Sequence, residues 1–203
     1  MGSMNFSSQY QQQPLPVEGN IVKKEWFRYY AELPDNRHKQ YIMSIDSAMK
    51  DGANNDWSVI TVWVKCGKEY FLIDVIRKKM NFPELQKCVK QLRQQYRSPR
   101  ILVEDKGSGT SLIQQLRVDG IHCIPCKPIG DKVERFATAS IAFEQGKAFF
   151  PDNNPPWLEC LEHELLAFPG CKHDDQVDSV SQFLNWAITN ASQKAQIVKL
   201  SGL

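Results

Sequence analysis

The sequence holds no run of 18 or more apolar residues, so no membrane-spanning helix is expected. Its amino terminus has no basic stretch leading into an apolar one, and nothing marks it for secretion. A glycine-rich phosphate loop of the GxxxxGK(S/T) kind is missing, which leaves no visible ATP site. No internal repeat is present. There is also little excess of either charge: 25 Lys and Arg against 23 Asp and Glu give a net charge of +2. A nucleic-acid partner would therefore require basic residues gathered on one face. Cysteines are six, at 66, 88, 123, 126, 160 and 171, in apolar or strand-like surroundings that suit buried free thiols. Cys123 and Cys126 make one CxxC beside His122, with Cys171 and His173 far downstream. Without a second spaced pair this is a poor zinc signature.

What is present is an ordinary globular composition, 42% hydrophobic and 24% charged, long enough for one well-buried domain. Met1-Gly2-Ser3-Met4 reads like residues added in cloning. Residues 4–20 are rich in Gln, Ser and Pro and read as an extended arm. The aromatic cluster Trp26, Phe27, Tyr29 and Tyr30 reads as a lead-in segment packed on the domain. Residues 1–38 are thus separated from a domain at 39–192 and a tail at 193–203.

Strands are expected at 41–46, 59–64 and 70–76, the last two joined by the turn at Cys66-Gly67-Lys68. A helical period follows through Phe82, Leu85, Val89, Leu92 and Tyr96. Beyond it come a short strand at 101–103, a helix around Leu112 to Leu116, and a strand at 121–124. A helix at 132–145, a strand at 148–150 and a helix opening at Pro155 lead to a final amphipathic helix from Asp174. Three antiparallel strands followed by strand–helix alternation make an α/β fold, a mixed central sheet flanked by helices.

The chemistry lies in the acids. Asp46 closes the apolar first strand, Glu104 and Asp105 close another, and Asp174, Asp175 and Asp178 open the last helix. Singly, these are ordinary strand ends and helix starts. Together, carboxylates at the ends of two strands can converge at one sheet edge, where a crossing helix supplies more. Residues 175 and 178 share a helix face, as do 174 and 178. Crowded carboxylates repel unless a cation sits among them, and hard oxygen ligands suit Mg²⁺ or Mn²⁺. Two such ions about 4 Å apart can drive phosphodiester hydrolysis.

Four ordered segments carry a family resemblance. They are Tyr10 to Pro14 with Glu18-Gly19-Asn20 and Glu25-Trp26-Phe27; Ser44 to Ala48 with Asn55 to Ser58; Val103 to Gly109; and His173 to Ser179. The sequence resembles the phage terminase large subunit, in its nuclease half, across nearly its whole length. The resemblance implies a ribonuclease H-like nuclease that cuts concatemeric double-stranded viral DNA with two Mg²⁺ or Mn²⁺ ions. Asp46 matches the family's first metal-binding acid and Glu104 the acid of the second strand. Asp105 stands beside Glu104, and only one of them can point inward from an extended backbone. Asp175 and Asp178 are favoured in the last motif, because their spacing also looks like the final acid pair of junction resolvases. Asp174 would cap the helix or stand behind the ligands. The missing ATPase implies an excised domain whose intact protein carries a motor and meets a small subunit and a portal, in the host cytoplasm.

Asp56 is a candidate for orienting a water or a ligand, and His173 for metal binding or proton transfer. Lys106, Lys127, Lys132, Arg135 and Lys172 flank the acids in sequence and could neutralise phosphates, with Lys132 and Arg135 one turn apart as the preferred pair. No helix suited to reading bases is evident, so binding with little sequence preference is expected. A junction resolvase or transposase, or a DNA- or portal-binding module without catalysis, are the competing readings.

Overall fold

The computed structural model describes residues 21–35, 38–47 and 57–200, the last ten as backbone only. The arm at 4–20, the loop at 50–56 with Asp56, and residues 201–203 lie outside the described residues.

The sheet starts from a run of apolar and β-branched residues. Strands β2 (Gln40–Asp46), β3 (Trp57–Cys66) and β4 (Glu69–Lys79) form an antiparallel meander, in which Ser44 faces Thr61 and Val64 faces Phe71. Gly67, at φ +60°, makes the tight turn between β3 and β4. Strand β5 (Arg100–Glu104) then pairs parallel to β2, and β6 (Ile124–Cys126) parallel to β5. On the other side β7 (Ala148–Pro151) pairs parallel to β4, and β1 (Arg28–Tyr30) parallel to β7. The seven strands run in the order β1-β7-β4-β3-β2-β5-β6.

Helices cover both faces, as parallel pairing requires. Helices α1 (Phe82–Gln95) and α2 (Ser108–Val118) close one face over Met43, Ile45, Ile60, Ile101 and Val103. Helices α3 (Lys132–Glu144), α4 (Leu158–Ala167) and α5 (Asp175–Leu200) close the other over Ile42, Val59, Trp63 and Leu102. Capping boxes fix two of the helix starts: Asn81 with Glu84 on α1, and Asp131 with Glu134 on α3. Among the described residues no helix is long and apolar enough to cross a membrane.

Three elements differ from the sequence expectation. The aromatic lead-in supplies an edge strand as well as packing: Phe27 is buried, with its ring 5.0 Å from Phe150 and nearly perpendicular to it, and residues 28–30 pair with β7. The strand expected at 121–124 pairs instead at 124–126, because Ile121 and Cys123 turn into the core beneath α1 and α2. The helix expected from Pro155 starts at Leu158, after a turn in which the Leu158 N–H donates to the Pro155 carbonyl.

Candidate active site

Strand parity decides which acids meet. Successive side chains on a strand alternate faces. On β2, Ile45 faces α1 and α2, so Ser44 and Asp46 face α5; on β5, Val103 faces α1 and α2, so Leu102 and Glu104 face α5. Ile45 stands opposite Val103 in the parallel register, which brings Asp46 and Glu104 to neighbouring strand ends. Asp105 falls on the opposite parity: its Oδ1 accepts a hydrogen bond from Thr110 Oγ1 at 2.9 Å, tying it to α2.

Two glycines make this strand end possible. Gly107 takes φ +55° in the turn out of β5. At Gly109 a Cβ would stand 1.9 Å from the Glu104 carbonyl oxygen, so only glycine lets α2 start against the strand.

Helix α5 is bound to β2 by a polar clasp within the core. Ser44 Oγ donates to the Ser179 carbonyl at 2.8 Å, and Ser179 Oγ donates to the Ser44 carbonyl at 2.9 Å. Since Ser179 has spent its proton, Thr61 is the donor in the 2.9 Å contact between their hydroxyls, and Thr61 accepts from Trp63 Nε1. Gln182 adds a bond to Ser44 Oγ. With Val177, Val180 and Phe183 in the core, residues 175, 178 and 182 face the strand ends.

The acids sense one another. Asp46 is pushed well above the usual aspartate range, first by burial, then by Asp178, Glu104 and Asp175. Glu104 is raised by burial and by Asp178, against the opposing pull of Arg135, Lys106 and Lys132. Asp175 is raised by burial, while Arg77 works against that shift. The cations of α3 complete the cluster. Lys132 Nζ bridges Asp174 and Asp178, and Arg135 Nη2 meets Asp178 Oδ1 at 2.8 Å. Burial alone would lower the Lys132 ammonium, but its bonds to Asp174 and Asp178 outweigh this and hold it above the usual lysine range.

A profile of the family described as "Terminase RNaseH-like domain" matches residues 43–186, most of the chain. The chain belongs to that terminase family. The fold agrees. The large terminase nuclease of thermophilic phage G20c with bound magnesium superposes with a TM-score of 0.65 at 17% identity, over 84% of this chain and 98% of that one. The nuclease domain of the large terminase of Thermus phage P74-26 gives 0.60 at 16% identity, over 81% and 93%. A large terminase from another thermophilic bacteriophage gives 0.61 at 14% identity, over 81% of this chain and 43% of that longer one. No curated protein matches by sequence. The ribonuclease H-like mixed sheet expected from the sequence is therefore the fold of this terminase domain.

The donor set of the terminase domain fits a hard divalent cation: four carboxylates, three of them raised, gather where a cation would relieve their repulsion. As the side chains stand, no three Asp, Glu, His or Cys among the described residues are disposed to hold one ion. Asp178 is engaged instead by Lys132 and Arg135.

Other candidates fall at different distances from this centre in the terminase domain. Asp174 is engaged by Lys132, and its carbonyl accepts the Asp178 N–H. His173 is exposed, two residues ahead of Asp175. Lys106 is exposed beside Glu104, and Lys172 is exposed ahead of the α5 motif. Lys127 lines a groove of about 280 Å³ that runs from Glu104 and Asp178 past Arg135 to Ile129 and Trp186. Cys123 packs beneath α1 and α2, whereas Cys126 and Cys171 pack against the opposite core, so the sheet separates the CxxC pair.

Sequence reasoning missed Arg77 and Glu164. Arg77 follows the apolar run of β4 and looks like its polar end. Glu164 carried a signal: it sits on the same helical stripe as Leu161 and Leu165, where an acid needs a buried partner.

Proposed function

We propose that this chain is the metal-dependent endonuclease domain of a phage DNA-packaging terminase, hydrolysing phosphodiester bonds of concatemeric double-stranded DNA with little sequence preference. What carries the reading is the convergence of Asp46, Glu104, Asp175 and Asp178 at the ends of β2 and β5 under α5, within a family of terminase ribonuclease H-like domains.

Asp46, Glu104, Asp175 and Asp178 would hold two Mg²⁺ or Mn²⁺ ions. The related G20c nuclease is known with bound cobalt and with bound magnesium. Bound there, such ions supply activation of a water and stabilisation of the leaving oxygen. The chain's own residues do the rest. The clasp between Ser44 and Ser179 fixes α5 against β2, so that Asp175 and Asp178 stand over Asp46. Asp105 holds the start of α2 through Thr110, and Asp174 engages Lys132. Lys132 and Arg135, now paired with Asp178, would turn to phosphate oxygens when DNA binds, releasing the carboxylate. Lys106, Lys127 and Lys172 would hold the backbone on either side, with the groove beside Glu104 as the strand path. Asp56 and His173 are supporting candidates.

In this reading residues 39–192 carry the nuclease centre, 1–38 lead in from an ATPase motor domain and lend β1 to the same sheet, and 193–203 are a tail that begins within α5. The intact protein would work in the host cytoplasm with small subunit and portal. Cleavage of linear duplex with Mg²⁺ or Mn²⁺ tests it. Cutting of plain duplex is expected; activity confined to four-way junctions would favour a resolvase, and DNA binding without cutting a docking module.

A further inference from the structure

Glu164 is 4% exposed and accepts three hydrogen bonds from the start of α5. Its Oε1 takes the backbone N–H of Gln176 at 2.7 Å and of Val177 at 3.3 Å, and its Oε2 takes Gln176 Nε2 at 2.7 Å. The first N–H groups of a helix have no partner within it, and their positive end favours an anion. Glu164 thus caps α5 from a different helix, one residue away from Asp175.

Arg77 completes the arrangement. Its guanidinium lies over the Trp57 ring, 4.6 Å from the centroid, and Nη1 reaches Cys160 Sγ at 3.7 Å. Nη2 stands 3.8 Å from Glu164 Oε2 and 3.7 Å from Asp175 Oδ2, ion-pair distances too long for hydrogen bonds. Nε and Nη2 are buried without a hydrogen-bond partner. A guanidinium with two nitrogens buried and unpaired is drawn strongly to any carboxylate it can reach.

We propose that Glu164 is a positioning residue that holds Arg77 back from Asp175, so that Arg77 offsets the charge of Asp175 without occupying its oxygens and leaves them open to a cation. Suspended between two acids, the guanidinium closes on neither. If Glu164 loses its charge, Asp175 becomes the acid that Arg77 pairs with, and a shift of about 1 Å makes a charge-assisted hydrogen bond that competes with metal. The inference rests on Asp175 being a metal ligand.

The test is Mn²⁺ binding, read by the electron paramagnetic resonance of free Mn²⁺, together with melting curves, on five proteins: wild type, Glu164→Gln, Arg77→Met, the double variant and Asp175→Asn. Glu164→Gln keeps the shape of the side chain and an acceptor for the Gln176 N–H, and is expected to weaken Mn²⁺ binding about tenfold or more. Arg77→Met should bind Mn²⁺ no more weakly than wild type, a result that stands even if Glu164→Gln fails to fold. The double variant should recover wild-type affinity. Unchanged binding in Glu164→Gln, weakened binding in Arg77→Met, or additive losses in the double variant would overturn the proposal, leaving Glu164 as a cap alone. Undiminished binding in Asp175→Asn would instead remove the metal-ligand reading beneath it.

Discussion

Ser44 and Ser179 each give a hydroxyl proton to the other's backbone carbonyl, across 2.8 and 2.9 Å, and so join the first strand of the meander to the helix that carries two of the candidate acids. Both residues are fully buried. Ser179→Ala leaves the Ser44 carbonyl and the Thr61 hydroxyl short of a partner, an expected loss of about 1–3 kcal/mol. Denaturant unfolding measures it. A loss confined to stability, with cleavage at wild-type rate in the folded fraction, would mean that the clasp does not set the site.

Asp46 should trade stability for function. Its folded-state carboxyl is raised, so the folded protein holds that proton more tightly than the unfolded chain does. The contribution of this group to stability therefore falls as pH rises from the ordinary aspartate value of about 4 through the raised one. Without metal, Asp46→Asn should be about as stable as wild type at the acid end and increasingly more stable above it. Chemical denaturation from pH 4 to 8 reads the difference, and a gap independent of pH would contradict a carboxyl raised by burial and by its acidic neighbours.

Glu104→Gln should reduce cleavage far more than Asp105→Asn. Glu104 faces the acids of α5, whereas Asp105 is committed to Thr110. Asp105→Asn should cost about 1 kcal/mol of stability through the weakened bond. The reverse order of activities would exchange the two roles.

Gly109→Ala should be destabilising by about 1–3 kcal/mol or more, since the added methyl meets a backbone oxygen that cannot yield as a side chain would. Because the displaced atom is the Glu104 carbonyl, cleavage should fall with it. A melting curve and a nicking assay on the same preparation check both.

Lys132→Ala and Arg135→Ala should each weaken DNA binding uniformly across sequences and reduce its salt dependence by about one unit of slope. Titrations of labelled duplex at several salt concentrations read this. An unchanged slope would leave both residues as internal partners of Asp178.

Much of this was legible in the sequence, for reasons that differ by residue. Asp46 and Glu104 each end a run of apolar residues, and the two-residue period of a strand then decides between Glu104 and Asp105 once one face is known. Asp175 and Asp178 could be read from helical spacing, since Val177 and Val180 mark the buried side. Contacts between elements far apart in sequence left no such periodic trace. Residues 28–30 became a strand because β7 offered an edge, and three residues are too few to show a period. Arg77 and Glu164 meet across two elements, so neither announces the other. The pairing of Lys132 and Arg135 with Asp178, rather than with solvent, follows from how α3 packs on α5.

Cleavage of supercoiled plasmid by wild type and Asp46→Ala, with Mn²⁺, with Mg²⁺ and with EDTA, tests whether this chain cuts DNA through the acids gathered around Asp46. Metal-dependent nicking or linearisation is expected of wild type, with none in EDTA and none from a folded Asp46→Ala protein. Cutting that survives in Asp46→Ala, or a folded wild type inert with either metal, would contradict it.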